Sequence, residues 1–310
     1  MTHTFNNISY RWKTASWLLK IVYINIAIFL ILRIAAVVAF FAGAEIIPWI
    51  KYIECPSEIA VLAHQPWSII TYMFAQYDVL HILFNMLWLY GFGRLFLEFN
   101  SQKQLLALYI YGGILGAIVF MLGYNFLPAF NNITGWFIGS SASAIAIVIA
   151  TAILNPNYKV GLLFIGQISL KWIAIITLII FFLGLSGENS GGHMAHFGGA
   201  LAGALYGLMM QHGIDITRPF NRMLDSIANS FYALKDFKWA KSNKAKAPKA
   251  NKWNDNKNNN NQSRSTNKAT ASPEDQAELD IILDKIKKSG YSALTADEKK
   301  RLFDVSKRIK

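Results

Sequence analysis

The chain has 310 residues, 54% of them hydrophobic, with a formal net charge of +12 and a mean hydropathy of +0.30. Up to about His212 one long apolar stretch follows another, whereas beyond it Lys, Asn, Asp and Glu dominate, so the basic excess sits mostly in the tail. Attraction of a basic tail to anionic headgroups accounts for that excess without nucleic acid, and the single Cys55 excludes an internal disulfide and offers no zinc-ligand spacing.

A hydrocarbon core of about 30 Å takes about 20 helical residues to cross. Apolar runs read against breakers predict six spans, near residues 17–43, 79–99, 104–126, 137–154, 172–187 and 192–212, after a short N-terminal segment, 1–16. The first run carries Lys20 and Arg33 and is too long for the h-region of a cleaved signal, so it is read as a retained helix. Arg33 lies mid-span and should face the bundle or snorkel. Between the first two spans, residues 44–78 are too apolar for a solvated loop and are punctuated by Pro48, Pro56 and Pro66, which places them partly in the interface.

The second span carries His81 and Asn85 four residues apart, on one face. The fourth carries Gly139-Ser140-Ser141-Ala142 near its start. The sixth carries His193 and His196 near its start, then Gly199, Gly203 and Gly207. Residues 213–272 read as a basic, largely disordered linker, and residues 273–310 as a small helical hairpin with starts at Ser272-Pro273 and at Thr295, three residues before Glu298. The cytosolic partner of that hairpin is not written in the sequence. Arg11, Lys13, Lys20, Arg94, Lys103, Lys159, Lys171 and the tail mark one side of the membrane and Lys51 the other, which predicts cytoplasmic termini.

Polar groups inside membrane helices are functional candidates, because burying them costs free energy that packing does not demand. At about 1.5 Å per residue, Asn85, Ser141 and His196 each stand roughly 20 Å above the inner ends of their helices, so all three share one depth in the outer half of the bilayer. A serine and a histidine from different helices at one depth point to a nucleophile and its general base. No carboxylate accompanies them, since Glu98 is at the inner end and Asp78 and Glu188 are at the outer boundary. A Ser141/His196 dyad is the reading that remains. His81, Asn85 and the backbone N–H of Ser141 would stabilise the oxyanion. Gly199 and Gly203 form a small-xxx-small face that lets the sixth helix approach the fourth, and His196 shares that face. Neighbouring Ser140 points about 100° away from Ser141, and His193 lies a turn further out. A metal site on His81, His193 and His196 lacks an established ligand spacing, so neither metal nor cofactor is expected.

With Pro66-Trp67 and Thr71, H-I-L-F-N from His81 to Asn85, G-R-L-F-L-E from Gly93 to Glu98, G-S-S-A from Gly139 to Ala142 and A-H-F-G-G-A-L-A-G from Ala195 to Gly203, the chain resembles the rhomboid proteases over roughly residues 60–210. The resemblance implies an all-α membrane protein, a six-transmembrane-helix rhomboid-like bundle with a C-terminal helical hairpin, in a bacterial inner or plasma membrane. It implies Ser141 as nucleophile, His196 as base, His81 and Asn85 at the oxyanion, and transmembrane protein substrates cut in or near the bilayer. Ser68 and Gln76 stand where many members carry Arg and His, and Ile145 stands where an aromatic often stacks on the base. Two other readings are a catalytically silent rhomboid-like binder of membrane segments and a transporter. The intact Ser141/His196 pair speaks against the first, and the apolar character of the helices below the pocket speaks against the second.

Overall fold

The computed structural model describes residues 10, 12, 14–162, 166–187, 189–230, 281–282, 284–285, 295, 297–298 and 302. Two compact units divide the chain, residues 1–245 and 246–310. The elements of the first, in order, are α1 (Trp17–Phe41), α2 (Ile47–Ile50), β1 (Cys55–Pro56), α3 (Ile59–His64), α4 (Ser68–Thr71), α5 (Val79–Phe99), α6 (Gln102–Phe126), β2 (Trp136–Phe137), α7 (Ser141–Leu154), β3 (Lys159–Leu162), β4 (Gly166–Ser169), α8 (Leu170–Gly184) and α9 (Ser190–Gln211).

Among the described residues six helices fall on the six predicted spans; α1, α5 and α6 are each long and apolar enough to cross a membrane, and α7 and α8 are shorter apolar helices. Their outward faces are apolar: Leu30, Ile31, Ile34 and Phe40 of α1 and Ile179, Phe182 and Leu183 of α8 are exposed. In water that surface would be costly, and in hydrocarbon it is matched. The starts of these helices follow from local chemistry. Ser16 caps α1 by accepting from the Leu19 N–H, Asp78 caps α5 through His81 N–H at 2.8 Å, and Ser101 with Gln104 closes a full capping box on α6.

The fourth span is shorter than expected. Residues 136–137 pair in a two-stranded ladder instead, Cys55 opposite Phe137 and Pro56 opposite Trp136. Gly139 then turns at φ +129°, a conformation open to glycine and closed to a continuing helix, so α7 starts only at Ser141. Every residue from Ser141 to Ala152 is buried, which makes α7 the central helix of the bundle. Close approach to it depends on absent side chains. A Cβ on Gly199 would strike the Ala142 carbonyl oxygen, and one on Gly203 the Ala146 carbonyl oxygen. Gly198 rests in the same way on Leu115 and Gly116 of α6.

The segment between α1 and α5 is held by its own polar groups. Gln65 Nε2 donates to the carbonyls of Lys51 and Glu54 at 3.0 and 3.2 Å, Trp67 Nε1 to Tyr52 at 2.8 Å, and Thr71 Oγ1 to Ile53 at 3.1 Å. Arg33, expected to face the bundle or snorkel, is exposed on α1.

After α9, residues 218–230 are helical, which corrects the linker expected from 213. Asp215 accepts from the Thr217 N–H at 2.9 Å just before this helix, Phe220 packs edge-on to Tyr111 of α6, and Lys103 pairs with Asp225 at 2.5 Å. An aromatic anchor and an N-terminal cap are enough to order a helix whose composition alone reads as linker. Most of the expected hairpin, 273–310, lies outside the described residues, as does the stretch 231–280. Where the second unit is described, Thr295 and Glu298 form a capping box: Thr295 N donates to Glu298 Oε2 at 2.7 Å and Glu298 N to Thr295 Oγ1 at 3.3 Å. Lys285, bonded to Glu298 at 2.7 Å, and the Thr295 backbone N–H together hold its carboxyl down at about 2.

Candidate active site

Ser141 is the first residue of α7, so its side chain stands where the chain turns out of Gly139 into the helix. The free N–H groups of that first turn and the positive end of the helix dipole lie beside it. His196 reaches it from the second turn of α9, with Nε2 at 2.8 Å from Ser141 Oγ. The approach is possible because Gly199 sits on the backbone of Ala142, the residue after Ser141. Among the described residues no group bonds His196 Nδ1, so this is a pair and not a triad. For Nε2 to accept the serine proton, Nδ1 must carry the ring hydrogen.

What holds the imidazole is an aromatic ring. Phe181 of α8 lies 4.5 Å from the His196 centroid, tilted by 50°. Ile145, one turn after Ser141, is an aliphatic wall of the same cavity. The ring shelf therefore comes from α8, a position sequence reasoning did not single out. Its only signal is a pair of aromatics, Phe181 and Phe182, in a helix otherwise mostly aliphatic.

His81 and Asn85 line the turn opposite. A Cβ on Gly139 would come within 2.9 Å of His81 Cε1, 3.3 Å of His81 Nε2 and 3.9 Å of Asn85 Nδ2, so both side chains close on the loop that delivers Ser141. Ser141, His196 and Asn85 open into one cavity of about 450 Å³ between α5, α7, α8 and α9, whose other walls include Phe84, Trp88, Ile176 and Ile180. The arrangement joins an apolar cleft to a few convergent polar groups, a combination suited to an apolar chain segment with a reactive backbone.

The neighbouring candidates are placed elsewhere. Ser140 is fully buried and accepts from Gln76 Nε2 at 3.2 Å. His193 packs on Gly184, with its ring 5.6 Å from that of His196 and its Nδ1 unbonded among the described residues. No three His, Cys, Asp or Glu side chains group as metal ligands among those residues.

A bundle of apolar helices that brings a serine and a histidine into hydrogen-bond contact defines a class, that of helical membrane proteins. Comparison narrows this further: residues 63–213, just under half of the chain, match the Rhomboid domain, and that segment is similar to the rhomboid family. Residues 269–308 match a family of unknown function, DUF6576. Among curated proteins the chain is similar to the presenilin-associated rhomboid-like protein A, mitochondrial, of Danio rerio, at 33% identity over 139 residues, 43% of this chain and 34% of the relative. The match thus spans about a third of that relative's length.

Proposed function

We propose that this protein is an intramembrane serine endopeptidase that hydrolyses a peptide bond in or near the transmembrane segment of another membrane protein. The observation that carries the proposal is the 2.8 Å contact between Ser141 Oγ and His196 Nε2 at the floor of an apolar cavity. His196 takes the Ser141 proton as Oγ attacks the scissile carbonyl. Charge developing on the carbonyl oxygen falls between the Ser141 N–H, Asn85 Nδ2 and the His81 ring, donors held in place by the fold. His196 then protonates the leaving amine and activates the water that hydrolyses the acyl-enzyme.

The positive-inside bias puts both termini on the cytoplasmic side and the segment between α1 and α5 outside. On that orientation the module from 273 to 310 is cytoplasmic, which assigns it to regulation or to a cytosolic partner. The test is to incubate the purified protein, and its Ser141→Ala variant, with a panel of single-span membrane proteins and to map cuts by mass spectrometry. Cuts in or beside spanning segments that vanish in Ser141→Ala are the expected result. Cuts that persist in the variant, or none in any substrate, would end the proposal.

A further inference from the structure

Behind Asn85 lies a chain of buried polar side chains drawn from separate parts of the fold. Asn25 of α1, Gln76 in the lead into α5, Tyr109 of α6 and Ser140 before α7 are all inaccessible, and Asn85 is 7% exposed. Their hydrogen bonds run in one direction. The Tyr109 hydroxyl donates to the Met73 carbonyl at 2.7 Å. Asn25 Nδ2 donates to the Ile21 carbonyl at 2.9 Å and to the Tyr109 oxygen at 3.3 Å. Gln76 Nε2 donates to Asn25 Oδ1 at 3.1 Å and to Ser140 Oγ at 3.2 Å. Asn85 Nδ2 donates to Gln76 Oε1 at 2.7 Å.

That direction is forced from the far end. The carbonyls of Met73 and Ile21 can only accept, so Tyr109 spends its proton on one and Asn25 turns its NH2 to the other. Asn25 Oδ1 is left facing Gln76, which must answer with its own NH2. Gln76 Oε1 then faces Asn85, and only the amide nitrogen of Asn85 satisfies it. One Asn85 N–H is consumed there. The second remains on the side of the Gly139 turn and the cavity, where Asn85 Nδ2 lies beside the loop carrying Ser141. A flipped amide would present Oδ1 instead, an acceptor facing the developing negative charge.

We infer that Gln76 is a positioning residue, which sets the donor sense of Asn85 toward the oxyanion by relaying the polarity of two backbone carbonyls through Tyr109 and Asn25. The role rests on the protease reading above and adds to it a control on turnover. A connected buried network of this kind acts as a unit, and its one free N–H is the Asn85 donor on the cavity side.

The experiment uses the full-length protein in detergent with a cleavable single-span substrate. It compares wild type, Gln76→Met, Asn85→Ala, the double variant and Gln76→His for kcat, KM, pH profile, thermal midpoint and fluorophosphonate labelling of Ser141. Removing an oxyanion donor typically lowers turnover about a hundredfold or more. Gln76→Met should lower kcat by about tenfold or more within that limit, leave KM nearly unchanged, and add nothing in the Asn85→Ala background.

A neutral imidazole at position 76 can accept at one nitrogen and donate at the other, whereas an imidazolium has no acceptor left for Asn85. Gln76→His should therefore turn over near the wild-type rate at alkaline pH and lose activity as the added ring protonates, an ionisation added to the loss of the His196 base that both proteins share. The titratable neighbours, Tyr109 on α6, His81 on α5 and His196 on α9, are common to both proteins, so the difference between the profiles belongs to position 76. Wild-type turnover in Gln76→Met, equal losses in both backgrounds, or parallel pH profiles for Gln76→His and wild type would overturn the role. If Gln76→Met does not fold, the histidine profile decides. Failure of the protease reading shows in the wild type itself, as absent labelling and cleavage, while failure of this role shows only in the variants.

Discussion

Replacing Phe181 by leucine removes a ring from beneath His196 while keeping α8 apolar at that depth. The two rings are 4.5 Å apart, and among the described residues no hydrogen bond reaches His196 Nδ1. The Phe181 ring, the edge of the His193 ring and the serine are therefore the main specific constraints on the imidazole plane. Contacts between aromatic rings contribute about 0.5–1.5 kcal/mol beyond the area they bury. If that stabilisation is spent on holding the base for proton transfer, its loss raises the barrier by the same amount, a rate decrease of about 2- to 12-fold. The assay is the second-order rate of fluorophosphonate labelling, which reads the dyad without a protein substrate, measured beside kcat and KM for cleavage. Phe181→Leu should slow labelling and kcat by a similar factor. Ile145 follows Ser141 by four residues on the same face of α7 and lines the same cavity, so Ile145→Phe in the Phe181→Leu background should restore part of the rate. An unchanged labelling rate with a raised KM would refute the reasoning and make Phe181 a wall of the substrate cleft.

Ser141→Ala and His196→Ala should each abolish cleavage and labelling, whereas Ser140→Ala and His193→Ala keep measurable activity, since neither side chain reaches the 2.8 Å pair; full labelling of a folded Ser141→Ala protein would move the nucleophile. Asn85→Ala should lower kcat about a hundredfold with little change in KM, and a collapse of affinity at constant kcat would place Asn85 in recognition instead. Gly199→Ala puts a methyl group against the Ala142 carbonyl, so it should lower stability by about 1–3 kcal/mol, as overpacking does, and slow labelling as α9 backs away from Ser141; a thermal midpoint equal to wild type would contradict this close contact. Burial pushes the Cys55 thiol up to about 12, so in the folded protein it should resist maleimide on either side of the membrane and react after denaturation; rapid labelling of the native protein would show that β1 opens.

Much of the bundle is legible in the sequence because a bilayer imposes a length and a polarity on anything that crosses it. The six apolar runs fall on α1 and α5 to α9, and the rise per residue alone brings Ser141 and His196 to one depth. Side-chain spacing also carries Gly199 and Gly203, since a missing Cβ every four residues is a visible stripe. The β2 turn is not legible in that way. Residues 136–138 are as apolar as a helix start, and the pairing of Cys55 and Pro56 with Phe137 and Trp136, together with the Gly139 turn, decides against it. The helix at 218–230 is hidden for a related reason, because its order comes from Tyr111 on another helix.

Residues that act on the site through other residues leave the weakest trace. Asn25 reads in sequence as one polar residue in a long apolar span, and Tyr109 as an ordinary membrane aromatic; Gln76 reads only as a departure from histidine. None has a side-chain partner at helical spacing, because Asn25 bonds Tyr109 across 84 positions and Gln76 bonds Asn25 across 51. What links them is saturation. In a low-dielectric interior each donor must find an acceptor, so fixing one end of the network fixes the orientation of every amide along it. Phe181 differs in mechanism and agrees in consequence: a ring from α8 stands where the α7 position one turn beyond Ser141 carries Ile145. In both cases the chemistry of the site depends on helices that contribute no reacting atom, so substitutions in α1 and α8 should alter turnover at a distance from Ser141.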